Sequence, residues 1–301
     1  MEGVILNRQL KSANQAFKDA KWHEAALLYE QVYQLEKSAK VNHLLVKSLY
    51  EDQQYKLAYQ VMLDDPNSYL MDQSHLVLMV KVMLATNQLM MAHILMASLP
   101  QVPEEVTTLI TASEQQFRQR PDFQTRYQAF YQLSSQTTLQ QQRAFEEGKQ
   151  LPLSEWLTAA RSLLTDPFVK PIVRVSVLEM LVKLKRSERY DFRWLDDQNY
   201  SLNPNQLVPL ADMPIVSQLH ASLAEVINTD DPVTFQLYQN ELGLQTTLLY
   251  PFVDRAIQSP DLWVNRLVHG DLVQSAQLPE RYTLEWWHRK LAQVIANMTT
   301  V

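Results

Sequence analysis

Three alanines constrain this chain's architecture more than any other feature. Ala25, Ala58 and Ala92 stand 33 and then 34 positions apart. Each follows a bulky residue by three (Trp22, Tyr55, Leu89) and precedes a large apolar one by four (Tyr29, Met62, Met96). Offsets of three and four share one face of an α-helix, so each triplet marks an apolar helical stripe with a small residue at its centre. The alanine lets a neighbouring helix approach closely, while the bulky side chain three positions earlier fills the groove at the turn. A period of roughly 33 residues holds two amphipathic helices, and neither can bury its apolar face alone. The pattern therefore predicts helical hairpins stacked on one another.

The offsets in "ANQAFKDAKWHEAALLYEQVY", "VKSLYEDQQYKLAYQVMLDD" and "VKVMLATNQLMMAHILMASL" resemble those of the tetratricopeptide repeat (TPR), and the resemblance covers Leu6 to Leu99. It implies a right-handed α-α superhelix in which the first helix of each unit lines a concave face. On that expectation the groove carries Asn7, Leu10, Asn14, Phe17 and Lys18, then Lys40, His43, Lys47, Tyr50 and Glu51, then Val77, Lys81 and Leu84. Asn14, Lys47 and Lys81 share one repeat position and would stack into a polar, mostly basic row suited to a peptide backbone or to carboxylates. The chain departs from the family at Ala13, Val46 and Val80, where glycine is usual, and at Lys37, where a proline usually follows the second helix. Leu10, Leu44 and Ser74 replace the Lys, Asn and Lys of the chaperone-tail clamp found in some TPR proteins, so terminal-carboxylate recognition is not implied.

Composition removes whole classes of chemistry. The only glycines are Gly3, Gly148, Gly243 and Gly270, too few and too scattered for a loop that wraps a phosphate or a dinucleotide. With no cysteine there is no disulfide, thiolate metal site or cysteine nucleophile, which fits a reducing cytoplasm. The net charge of −6 argues against general attraction to nucleic acid. At the amino terminus the apolar run Val4 to Leu6 is too short for a signal-peptide core. The most apolar segment, near Leu76 to Leu99, is interrupted by Lys81, Asn87 and His93 and reads as buried helices. A cytoplasmic location without membrane association is the resulting expectation.

The repeats are assigned to residues 1–120, with a helical cap beginning after Pro103, and a helical carboxy-terminal region to 121–301. In the latter, "LPLSEWLTAARSLLTDPFVKPIVRVSVLEMLVKLK" looks like a HEAT-type helix pair broken at Asp166-Pro167. Tyr190, Phe192 and Trp194 alternate with charged residues ahead of a turn at Asp196 to Asn199, which predicts one small β-hairpin near 190–203. Helices are expected over about 213–228 and 232–242, and a strongly amphipathic last helix closes the chain. The whole resembles uncharacterised bacterial proteins of about 300 residues that join TPR units to a helical region.

Catalysis finds no foothold. His23-Glu24 is half of a zinc-protease helix motif, but Leu27 stands where the second histidine belongs. His269-Gly270-Asp271-Leu272 looks like a phosphotransferase catalytic loop, yet Ala276 replaces the metal-binding asparagine that chemistry requires. No serine lies in a nucleophile elbow. Neither a cofactor nor a metal is expected. Basic residues gather at Lys170, Arg174, Lys183, Lys185, Arg186, Arg189 and Arg193, a candidate surface for nucleic acid or an acidic partner, or in part a complement to a helix carboxy terminus. Seven of eleven methionines fall between Met62 and Met96, as core filler or as an adaptable surface. The reading is a non-enzymatic scaffold or adaptor that binds a protein or peptide segment in a TPR-type groove.

Overall fold

The computed structural model describes residues 2–227, 231–270 and 279–299. The protein is mainly helical, with sixteen α-helices and one two-stranded antiparallel sheet among the described residues. No helix among them is long and apolar enough to cross a membrane. The chain divides into two compact units, Met1–Phe123 with Lys149–Leu153, and Gln124–Gly148 with Ser154–Val301.

Unit 1 contains α1 (Glu2–Lys18), α2 (Trp22–Leu35), α3 (Ala39–Glu51), α4 (Tyr55–Met62), α5 (Gln73–Ala85), α6 (Leu89–Ser98) and α7 (Glu104–Arg118). The turns inside its three helix pairs share one geometry. Ala20, Gln53 and Asn87 take left-handed φ values of 54, 61 and 58°. At each turn the next amide closes a six-residue ring back to the preceding helix: Lys21 N to Ala16 O at 2.9 Å, Gln54 N to Leu49 O at 2.9 Å, and Gln88 N to Met83 O at 2.8 Å. Such turns satisfy carbonyls that a helix end leaves open, although glycine usually occupies the left-handed position. Ala25, Ala58 and Ala92 then sit at the fourth residue of α2, α4 and α6, each fully buried.

Local chemistry sets the other boundaries. The Ser38 hydroxyl accepts from Val41 N to start α3, and the Asp72 carboxylate accepts from Ser74 N and His75 N to start α5. The helix α4 has only eight residues, because Pro66 turns the chain into a short 3₁₀ segment, Pro66–Leu70, absent from the sequence-based expectation. A buried polar network fastens this segment. Tyr69 donates to Asn42 Oδ1 at 2.6 Å, while Asn42 Nδ2 donates to the Tyr33 hydroxyl and to Val61 O.

Unit 2 contains α8 (Phe123–Tyr131), α9 (Thr138–Gly148), α10 (Leu153–Leu163), α11 (Pro171–Lys183), β1 (Tyr190–Arg193), β2 (Asn199–Leu202), α12 (Pro214–Val226), α13 (Pro232–Leu249), α14 (Val253–Ala256), α15 (Pro260–His269) and α16 (Leu284–Thr299), of which α8 and α10 begin on the last residue of a unit 1 segment. Prolines open α11, α12, α13 and α15, where a missing amide costs nothing. The hairpin pairs Tyr190 with Leu202 and Phe192 with Tyr200. Its last buried ring, Trp194, donates to Leu249 O at 2.9 Å and lies 4.8 Å from Trp287 of α16. The helix α13 runs seven residues beyond the expected end at 242, through Gly243, and stops before Pro251. The helix α11 lies closest to α13, to α9 and to a 3₁₀ turn at Pro204–Gln206, an arrangement wider than the sequential helix pair expected of it. Gly148 is needed at the end of α9, since a Cβ there would sit 2.5 Å from the Phe130 ring.

Candidate functional site

A groove of about 990 Å³ opens in unit 1. Its walls come from α1 (Phe17), α3 (Ala39, Lys40, His43, Leu44, Lys47, Tyr50, Glu51), α5 (Ser74, His75, Val77, Leu78, Lys81) and α7 (Glu105). Ser68, Met71 and Asp72 from the 3₁₀ segment and the start of α5 complete it, and α2, α4 and α6 contribute nothing. The α3 residues Lys40, His43, Leu44, Lys47, Tyr50 and Glu51 follow offsets of three and four, so they form one stripe along that helix. Leu44, Val77 and Leu78 make an apolar floor, and Met71, 86% exposed, stands at the rim.

Eight residues read from the sequence as groove residues line this space: Phe17, Lys40, His43, Lys47, Tyr50, Glu51, Val77 and Lys81. Five do not. Asn7 and Lys18 are exposed on α1 outside the walls, Asn14 Oδ1 accepts from the Tyr29 hydroxyl at 2.8 Å, and Leu10 and Leu84 pack against the apolar core. The expected basic row is thereby altered, because Asn14 is held by α2 and Lys81 Nζ lies 4.0 Å from Glu105. The three wall lysines face three carboxylates, Glu51, Asp72 and Glu105.

The charges are nevertheless unevenly satisfied. Asp72 spends its oxygen on the α5 amides and on the Ser74 hydroxyl, interactions that hold its carboxyl below the usual carboxylate range. Lys47 lies 5.5 Å from the centre of the Phe17 ring, and neither Lys40 nor Lys47 has an ion-pair partner among the described residues. At the other end His43 and His75 lie against each other with ring centres 3.9 Å apart and planes tilted by 39°. Ser68 donates its single hydroxyl proton to Asp65 O at 2.7 Å, so its contact with His43 Nε2, also 2.7 Å, requires that nitrogen to donate. Burial, and next the charge of His75, lower the His43 pKa against the opposing Asp65 and Asp72, which favours the neutral ring, and in that form Nδ1 is its acceptor. The 3₁₀ segment supplying Ser68 had no periodic signal, and only Pro66 hinted at it.

The basic stretch of unit 2 is only partly exposed. Arg174 is buried, and its guanidinium donates to Arg193 O, Asp166 O and Val169 O at 2.9, 2.7 and 2.8 Å. It is an internal clamp on two loops, and burial lowers its pKa to about 10. Arg186 pairs with Glu188, Arg193 pairs with Asp197 at 3.1 Å, and Lys170 is half-buried at the start of α11. Lys183, Lys185 and Arg189 remain exposed. His23 of the half motif meets Asp52 at 2.9 Å on the surface. Of the phosphotransferase-like motif, His269 ends α15 and Gly270 follows it, while Asp271, Leu272 and Ala276 lie outside the described residues.

No family model, no curated protein and no solved structure matches this chain.

Proposed function

We propose that unit 1 is a TPR-like right-handed superhelical scaffold that captures a segment of a partner protein in the groove, and that the protein acts as a non-enzymatic adaptor in the cytoplasm. One observation carries the reading: a single groove walled only by α1, α3, α5, α7 and the 3₁₀ connection, the arrangement expected when the first helix of each hairpin faces inward. Its mixture of apolar floor, aromatic end and lysines suits side-chain pockets along a peptide better than a small-molecule site. Unit 2 supplies a second helical body whose role in the assembly is support or a further surface.

The test compares proteins captured from lysate by wild type, Lys47→Glu, Lys81→Glu and Lys56→Glu, the last altering the exposed face of α4. Matched thermal melts establish that all four fold. The reading expects partners lost from both groove variants and kept by Lys56→Glu. Identical partner sets throughout would remove the groove as the binding surface.

A further inference from the structure

The histidine end of the groove carries a more specific consequence, which rests on the reading of this groove as a peptide-binding surface. The His43 and His75 rings lie 3.9 Å apart, centre to centre, and both line the groove with Lys40. The charged and titratable groups around the pair are few. They are Lys40 and Lys47 on α3, Asp65 and Tyr69 from the 3₁₀ segment and its approach, and Asp72 on the residue that starts α5. Tyr69 is engaged with Asn42, and Asp72 with the α5 amides. Asp72 also lies 3.9 Å from His75 Nδ1. Two imidazolium rings at this separation repel, so the empty groove disfavours a second proton. Lys40 shares the groove wall with the two rings. Any acidic side chain placed against the three groups would relieve that repulsion.

We propose that an Asp or Glu side chain of the bound segment seats against the adjacent His43–His75 pair beside Lys40, so that capture of the segment takes up a proton. The apolar floor of Leu44, Val77 and Leu78, with Met71 at its rim, takes the neighbouring apolar residue of the segment, and Lys47 two helical turns along α3 reaches a second acidic position. Lys40 and Lys47 are seven residues apart, about 10.5 Å along the helix axis, so the acidic positions are separated rather than adjacent. The sign follows from linkage: the bound anion raises the pKa of the pair, so protons are taken up on binding and affinity rises as pH falls across the histidine range.

Phage-displayed random peptides, panned against the full chain at about pH 6 and about pH 8, provide the test. The probe variants are Lys40→Glu/Lys47→Glu, His43→Gln/His75→Gln and Leu78→Arg, the last blocking the floor. The proposal expects peptides rich in Asp and Glu next to apolar residues, with a synthetic winner binding about tenfold tighter at the lower pH. Lys40→Glu/Lys47→Glu should turn the preference towards Lys and Arg, a reversal that misfolding cannot produce. His43→Gln/His75→Gln should lose the gain at about pH 6 and bind at both pH values with the weaker affinity that wild type shows at about pH 8. Peptides without acidic preference, or without pH dependence, that still disappear in Leu78→Arg would overturn this proposal and leave the groove reading standing. No enrichment beyond that of Leu78→Arg would overturn both.

Discussion

Unit 1 and unit 2 are both helical, yet they are assembled by opposite rules. In unit 1 the first four helices pack mainly on their neighbours in the chain, α1 on α2, α2 on α3, α3 on α4, while α5 lies mainly on α7, and the same left-handed turn recurs three times. In unit 2 the most extensive helix packing, α12 with α15, crosses the order of the chain, as does α11 with α13, although α12 also packs on α13, and Trp156, Trp194, Trp263 and Trp287 are buried. A further left-handed residue, Lys185 at φ 50°, ends α11 with the same ring of hydrogen bonds but leads into a strand. Identical local chemistry thus builds a hairpin stack or an irregular core, depending on whether the next element buries its face on its predecessor. Nearest-neighbour packing gives a shallow surface made of equivalent positions, which suits a long ligand, and cross-chain packing gives a closed body.

The largest expected effect breaks unit 2 alone. Trp263 is fully buried, donates to Gln245 at 2.9 Å and stacks on His288, so Trp263→Ala should cost about 3 to 5 kcal/mol. Hydrogen exchange should report that loss across α12 to α16 while α1 to α6 keep their protection. Equal loss in both units would mean that they fold as one and that the contrast drawn here is false.

Ala58→Leu is the counterpart in unit 1. With no exposed surface at Ala58, the added atoms must separate α3 from α4, at a cost of about 1 to 3 kcal/mol in chemical denaturation. Ala25→Leu should behave alike, because it occupies the same place one hairpin earlier. An unchanged midpoint for either variant would show that the seams are looser than their burial indicates.

Acid should separate the units next. Burial, reinforced by the charge of Arg266 and opposed by Glu285, lowers the His288 pKa to about 4. The unfolded chain therefore gains a proton first. This contribution is complete above about pH 6.5 and is lost as pH falls through about 4, on the order of 3 kcal/mol. Tryptophan fluorescence follows it well, since Trp22 is the only tryptophan of unit 1. His288→Gln should flatten the curve between those pH values, and an unaltered slope would assign the acid sensitivity elsewhere. The smallest effect is at the repeated turn, where Gln53→Gly relieves a left-handed side chain and should stabilise unit 1 by a few tenths of a kcal/mol. Asn87→Gly should gain less, because asparagine tolerates that conformation, and a loss at either turn would contradict their equivalence.

What could be read in advance follows the same division. The helix pairs of unit 1, the hairpin at 190–203 and the amphipathic last helix were legible because their signals are local: a recurring alanine, alternation around Phe192, a stripe through Trp287 and Leu291. Asn14 and Arg174 were misplaced for a common reason. A polar side chain looks available in sequence, and only the fold reveals the tyrosine hydroxyl or the loop carbonyls that claim it. Asn42, holding Tyr33 and Tyr69 together, and Ser68, aligning His43, carry no periodicity and depend on partners brought near by α4 and the segment after it. The groove could thus be placed on the first helices, while the balance of its charges needed the three-dimensional partners of each one.

The most direct measurement of the central claim is site-specific photocrosslinking in cells, with benzoylphenylalanine at Lys47 or Leu78 in the groove and at Lys56 on α4. The account predicts that the two groove positions yield the same partner, crosslinked through one short acidic segment, and that Lys56 does not. The same products from all three positions, or a partner attached only through Lys56, would contradict it.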